Sequence, residues 1–327
     1  MAPPLLSVRD LSVRIRSGES IVHAVNDVSL DVEEGEIVGV VGESGCGKST
    51  MVKAVLRLLA PEAEVPSGSA VLAGSGDLLA LDHKRLRQVR GAHVGYVSQN
   101  PFGALNPIYR LDRQFHNLVA AHRKGTSRGE SRRMAAKMLD AVGIAGPDRV
   151  LDGYAHQLSG GMAQRVVIAM SFLLDPRLVI ADEPTTGLDV TVQRQILDMV
   201  AELARADGRA MLLVTHDLGV VAQYCRRVVV MYAGRVVESG PVADVFTSPR
   251  HPYTQALLGA VPRPGQPLER LPGAVPDLRV LSEGCAFAPR CRSAFDACSV
   301  RPEPTPGGDG RTVACHLEKE PADAAAR

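Results

Sequence analysis

The feature that most constrains this chain is the run Gly42-Glu43-Ser44-Gly45-Cys46-Gly47-Lys48-Ser49-Thr50, which fits G-x-x-x-x-G-K-[ST]. An apolar stretch from Ile37 to Val41 precedes it, and helical periodicity from Lys48 to Leu59 follows it until Pro61. Strand, glycine-rich loop and helix in that order make a phosphate cradle. Glycines let backbone N–H groups turn inward toward phosphate oxygens, and the helix N-terminus adds its partial positive charge. Lys48 supplies a full charge to the β and γ phosphates, and the Ser49 hydroxyl is placed to ligate Mg²⁺. Cys46 reads as a small spacer in the loop.

The rest of the chain must supply a sheet around that unit. Alternating residues Leu6, Val8, Leu11, Val13, Ile15 and Val28, Leu30, Val32 predict an N-terminal antiparallel β subdomain. Residues 101–175 carry helical periodicity, from Ser131 to Val142 and again after Ser159, and read as an inserted helical subdomain. Strands return at Leu178 to Ala181, Met211 to Thr215 and Val228 to Tyr232, with a helix from Val192 to Arg205 between them. The fold class is therefore α/β with a largely parallel central sheet. The tail is built differently: 13 of the 22 prolines lie in residues 241–327, and Cys285, Cys291, Cys298 and Cys315 crowd the last 43 residues. The chain divides into 1–245 and a small Pro- and Cys-rich 246–327.

Several residues downstream suit nucleotide hydrolysis. The apolar strand ending in Asp182-Glu183 places Asp182 to hold Mg²⁺ and Glu183 to polarise an attacking water. Gln99, after the strand His93 to Ser98, is placed to reach the same metal and water. His216, at the end of Met211 to Thr215, is placed against the γ phosphate. Ser159-Gly160-Gly161 opens a long helix: Ser159 is of N-cap type and the glycines expose backbone N–H groups, making a second anion-binding terminus. Gly187-Leu188-Asp189 follows Glu183, and Asp189 is counted with the nucleotide contacts.

Composition excludes other classes. Lys plus Arg number 37 against 36 Asp plus Glu, so no overall field favours nucleic acid or an anionic membrane. Aromatic residues are 4% with no Trp, and no apolar stretch approaches the roughly 20 residues that cross a bilayer. The opening MAPPLLSVRD has no basic and apolar leader pattern and is expected to stay in the cytosol.

The order Gly42 to Thr50, Gln99, Leu158 to Met162, Asp182-Glu183, Gly187 to Asp189 and His216 resembles the ATP-binding subunit of ABC transporters over about residues 5–245. Asn100-Pro101, Leu105-Asn106-Pro107, His251-Pro252-Tyr253-Thr254 and Gly284 to Cys291 resemble the oligopeptide, dipeptide and nickel importer subgroup. The resemblance implies a P-loop NTPase core of the ABC type. Two ATPase subunits would sandwich ATP head to tail, so that Ser159 to Gly161 contact ATP held by a partner chain. It also implies a paralogous second ATP-binding subunit, two membrane-spanning permease subunits, an extracytoplasmic substrate-binding protein, and residence on the cytoplasmic face of the membrane. Two positions depart from the pattern. Arg14-Ile15-Arg16 stands where many members carry an aromatic that stacks on adenine, and Ala163 stands where the subgroup often has Arg.

Four cysteines spaced C-x5-C-x6-C-x16-C in a cytosolic chain argue against disulfides. A [4Fe–4S] cluster, zinc or free thiols all fit the residues, and the subgroup resemblance implies the cluster. The expected function is an ATPase energising uptake of oligopeptides, dipeptides or related solutes. Its rivals are a nucleic-acid maintenance or translation ATPase, which this chain with one phosphate loop and no heptad run suits poorly, and a redox-regulated ATPase that moves no solute.

Overall fold

In the computed structural model, residues 3–261, 273–307 and 310–319 are described. Strands β1 (Leu6–Ser17), β2 (Ser20–Val32), β3 (Ile37–Val41), β4 (Ala63–Leu72) and β5 (Gly76–Asp77) come first. After them come β6 (Val94–Val97), β7 (Leu178–Asp182), β8 (Ala210–Val214), β9 (Arg227–Tyr232), β10 (Arg235–Pro241), β11 (Thr305–Pro306) and β12 (Thr312–Val313). They form two sheets, one ordered β2-β1-β4-β5 and the other β11-β12-β10-β9-β3-β8-β7-β6.

The N-terminal sheet is antiparallel throughout, as the alternating pattern predicts. In the second sheet β3 lies parallel between β8 and β9, and β7 lies parallel between β6 and β8. β3, β7 and β8 are buried along their whole length, which is why they read as continuous apolar runs rather than alternating ones. One face of this sheet packs on the N-terminal sheet and on the helix Lys48–Val55. The other packs on helices that include Leu111–His122, Arg128–Ala141 and Gly160–Phe172.

The helix after the phosphate loop ends at Val55 rather than Leu59. Arg57 there takes a positive φ of 51°, and the Leu58 N–H turns back to the Lys53 carbonyl, closing the helix before Pro61 is reached. The tail is more tightly joined to the body than its composition suggests. β12 extends the central sheet by pairing antiparallel with β10. Behind it, Arg311 meets the fully buried Glu238 at 2.6 Å, and the two Glu238 oxygens also accept the Arg250 and His251 N–H groups. A carboxylate satisfied on both oxygens tolerates that burial. Tyr232, Tyr253 and Phe287 complete the junction, with ring centroids 4.6 to 5.4 Å apart.

Candidate functional site

The loop between β3 and its helix takes the shape the motif requires. Gly47 has φ 100°, and a Cβ there would lie 2.2 Å from the Ala24 carbonyl oxygen, so no other residue fits. Lys48 is 4% exposed; its Nζ donates to the carbonyls of Gly42 at 2.8 Å and Glu43 at 3.1 Å. An ammonium held on the loop's own carbonyls is preset to exchange them for phosphate oxygens, which are charged and stronger acceptors. Cys46 is buried and its Sγ accepts from Lys48 Nζ at 3.7 Å; burial pushes its thiol up from the ordinary cysteine range.

Beside the loop, Ser49 Oγ donates to Asp182 Oδ1 at 2.6 Å, and the Tyr96 hydroxyl donates to Asp182 Oδ2 at 3.2 Å. Asp182 is fully buried. Burial, together with the Asp182 charge, raises Tyr96 well above the usual phenol range and keeps it a donor. Ser49 and Asp182 present hard oxygen donors, the set Mg²⁺ takes with phosphate oxygens; the residues present fit that ion.

Glu183 directly follows β7 with a positive φ of 46°, a backbone strain of about 1–3 kcal/mol for a residue with a Cβ. Its N–H is tied to the Val214 carbonyl at 2.9 Å. Glu183 Oε2 accepts from Gln99 Nε2 at 3.0 Å and from Thr186 Oγ1 at 2.8 Å, and His216 Nδ1 lies 3.7 Å from the same oxygen. One carboxylate oxygen is thus held by two hydrogen bonds with His216 beside it, an arrangement that can orient a water against a phosphoryl group. Tyr96 and Thr186 were not visible in the sequence pattern. Each reaches the site through a strand end or a turn already populated by motif residues.

Ser159, Gly160, Gly161 and Asp189 are placed elsewhere. Ser159 Oγ accepts the Met162 N–H at 3.3 Å as the N-cap of Gly160–Phe172. Asp189 caps Val190–Ala206, accepting the Val192 N–H at 3.0 Å. Among the described residues, no hydrogen bond or ion pair joins Ser159–Gly161 to the phosphate loop.

Cys285, Cys291, Cys298 and Cys315 line one small cavity with His251, Phe287 and His316. Burial raises Cys285, Cys291 and Cys315, the last to about 11. Among the described residues, no three His, Cys, Asp or Glu side chains gather closely enough to hold a metal ion. The four cysteines singled out in the sequence thus share one cavity but form no coordination shell, and nothing among the described residues supports the expected cluster. Cys225, by contrast, lies against the core and is pushed up to about 12 by burial.

This fold and this loop define an ATP-binding cassette. Residues 25–186 match the family model described as "ABC transporter", and residues 237–298 match "Oligopeptide/dipeptide transporter, C-terminal region". The chain is 45% identical to the "Probable D,D-dipeptide transport ATP-binding protein" of Escherichia coli, over 94% of this chain and 95% of that one. It is 47% identical to the "Oligopeptide transport ATP-binding protein" of Mycobacterium tuberculosis, over 92% of this chain and 50% of that one. A solved dimeric ATP-binding cassette in a post-hydrolysis state with ADP and Pi superposes with TM-score 0.65 at 27% identity, covering 72% of this chain and 98% of that one. The chain belongs to the ABC transporter ATP-binding family, in the group that carries the oligopeptide/dipeptide C-terminal region, and is an ATPase.

Proposed function

We propose that this chain energises the import of peptides through a membrane ABC transporter by hydrolysing ATP at Glu183. The observation that carries the hydrolytic assignment is that Gln99 and Thr186 bond one oxygen of Glu183 with His216 beside it, just past the end of β7 in the sheet that also carries the phosphate loop. In this reading the N–H groups of Gly42 to Thr50 and the Lys48 ammonium bind the phosphates, while Ser49 and Asp182 hold Mg²⁺. When bound, the ion would neutralise charge building on the phosphoryl group. Glu183 accepts a proton from the attacking water, and Gln99 and His216 keep that water and the γ phosphate in line. Ser159 to Gly161 and Asp189 act across the interface, on ATP held by a second ATP-binding subunit.

The peptide assignment rests on the C-terminal region and on the names of the relatives. Phe102 and Ile108 stand 45% and 78% exposed just beyond Gln99, an apolar surface suited to a permease segment. No helix among the described residues is long and apolar enough to cross a membrane, so two permease subunits would supply the path. An extracytoplasmic binding protein would deliver the peptide, and this chain would sit on the cytoplasmic face. The four thiols around the cysteine cavity are soft donors of the kind a [4Fe–4S] cluster or zinc takes, and they would have to close further to hold either. Iron with acid-labile sulfide in anaerobically purified protein supports the cluster, whereas stoichiometric zinc without sulfide excludes it.

Vesicles carrying this chain with its neighbouring permeases should accumulate peptide only with internal ATP, and Glu183→Gln should abolish uptake. Uptake that persists in that variant, or ATPase activity stimulated by nucleic acid and not by peptide, would refute the reading.

A further inference from the structure

The phosphate loop is gripped from outside by the C-terminal segment, and the grip falls on one residue, Glu43. Its backbone N–H donates to the Tyr253 hydroxyl at 2.9 Å, while its backbone carbonyl accepts from Lys48 Nζ at 3.1 Å. Its carboxylate is met by both ends of the Arg290 fork: Nη1 to Oε2 at 2.7 Å and Nη2 to Oε1 at 3.0 Å. Arg290 is 7% exposed, and its Nη1 also donates to the Tyr232 hydroxyl at 3.2 Å. Tyr253 and Arg290 lie 210 and 247 residues beyond Glu43 in the chain.

A carboxylate in a loop that must wrap a triphosphate is an electrostatic liability, since its charge repels the ligand through partly desolvated surroundings. A bidentate guanidinium from a distant segment cancels that charge and fixes the loop at once. We infer that Arg290 and Tyr253 are positioning residues for nucleotide binding, so that ATP affinity depends on how the C-terminal segment is seated. Arg290 ends the short turn Ala288–Arg290, directly before Cys291, and Phe287 packs on both Tyr232 and Tyr253. Phe287 also lines the cysteine cavity. The cysteine cavity thus adjoins the grip on Glu43.

The test is binding of a fluorescent ATP analogue to the full-length chain, with steady-state ATP hydrolysis alongside. Arg290→Gln should weaken binding about tenfold, within the range of measured couplings between sites. KM for ATP should rise with kcat little changed, because the lost interaction is made equally before and during reaction. Tyr253→Phe, which removes only the hydroxyl, should weaken binding by a smaller factor in the same direction. The deciding variant is Arg290→Gln combined with Glu43→Gln: removing the carboxylate should restore most of the lost affinity. A general loosening of the C-terminal segment would leave the double variant as weak as the single one. Unchanged affinity in Arg290→Gln, or no rescue by Glu43→Gln, overturns the inference.

Discussion

The helix termini at Gly47-Lys48 and at Gly160-Gly161 both offer N–H groups beside glycine, and they are finished in different ways. At Lys48–Val55 no side chain caps the terminus; the loop wraps back over it, Lys48 is buried inside the wrap, and Ser49 is already bonded to Asp182. At Gly160–Phe172 a serine caps the terminus in the ordinary manner, and among the described residues neither glycine is tied to the phosphate loop. The first terminus gathers its lysine, its serine and the partner carboxylate within one chain. The second gathers no such groups, which fits the proposal that it closes on nucleotide held by another subunit. Residue chemistry alone would have rated them alike; what separates them is where the surrounding chain places the acceptors.

Substitutions at the two termini should therefore break different things. The largest effect is expected from Gly47→Ala, where a methyl meets the Ala24 carbonyl at a positive φ. Left-handed strain and overpacking together cost about 3–4 kcal/mol, so nucleotide affinity in the isolated chain should fall about a hundredfold or more by fluorescence titration. Lys48→Ala removes a charge-assisted bond of about 1.5–3 kcal/mol and should weaken ATP binding about 10- to 100-fold in the same assay. Ser159→Ala should leave the isolated chain's nucleotide affinity unchanged. Loss of a cap of about 1 kcal/mol should instead slow turnover of the assembled transporter about fivefold. If Ser159→Ala instead weakens binding in the isolated chain, the two termini are not separate half-sites.

A fourth expectation concerns thiols and is the smallest in effect. Cys225, raised to about 12, and the buried Cys46 should stay unlabelled by a thiol reagent at pH 7 in the native chain, because the thiolate is the reactive form. Rapid labelling of Cys46 would show that the phosphate loop opens more readily than its packing implies.

Much of the site was legible because each piece is local. A motif spacing fixes Gly42 to Ser49; strand ends fix Asp182, Glu183 and His216; and the structure brings Gln99 to Glu183 as the chain order suggested. The parallel sheet was equally legible, since strands buried on both faces must be continuously apolar. Arg290, Tyr253 and the two-residue strands β11 and β12 were not. Their partners lie far away in the chain, and neither a fork on a carboxylate nor a short sheet extension leaves a period in the sequence. Proline content marked the tail as different and concealed how firmly Glu238, Arg311 and the ring cluster join it to the body.

In the proposed function Glu183 carries out hydrolysis while the phosphate loop binds independently of it. Glu183→Gln keeps the size and one acceptor oxygen but removes the base. Measured together on that variant, the ATP dissociation constant should match the wild type while the hydrolysis rate falls about 10²- to 10⁴-fold, the usual contribution of a positioned base. Hydrolysis within a few-fold of the wild type, at unchanged affinity, would contradict the account.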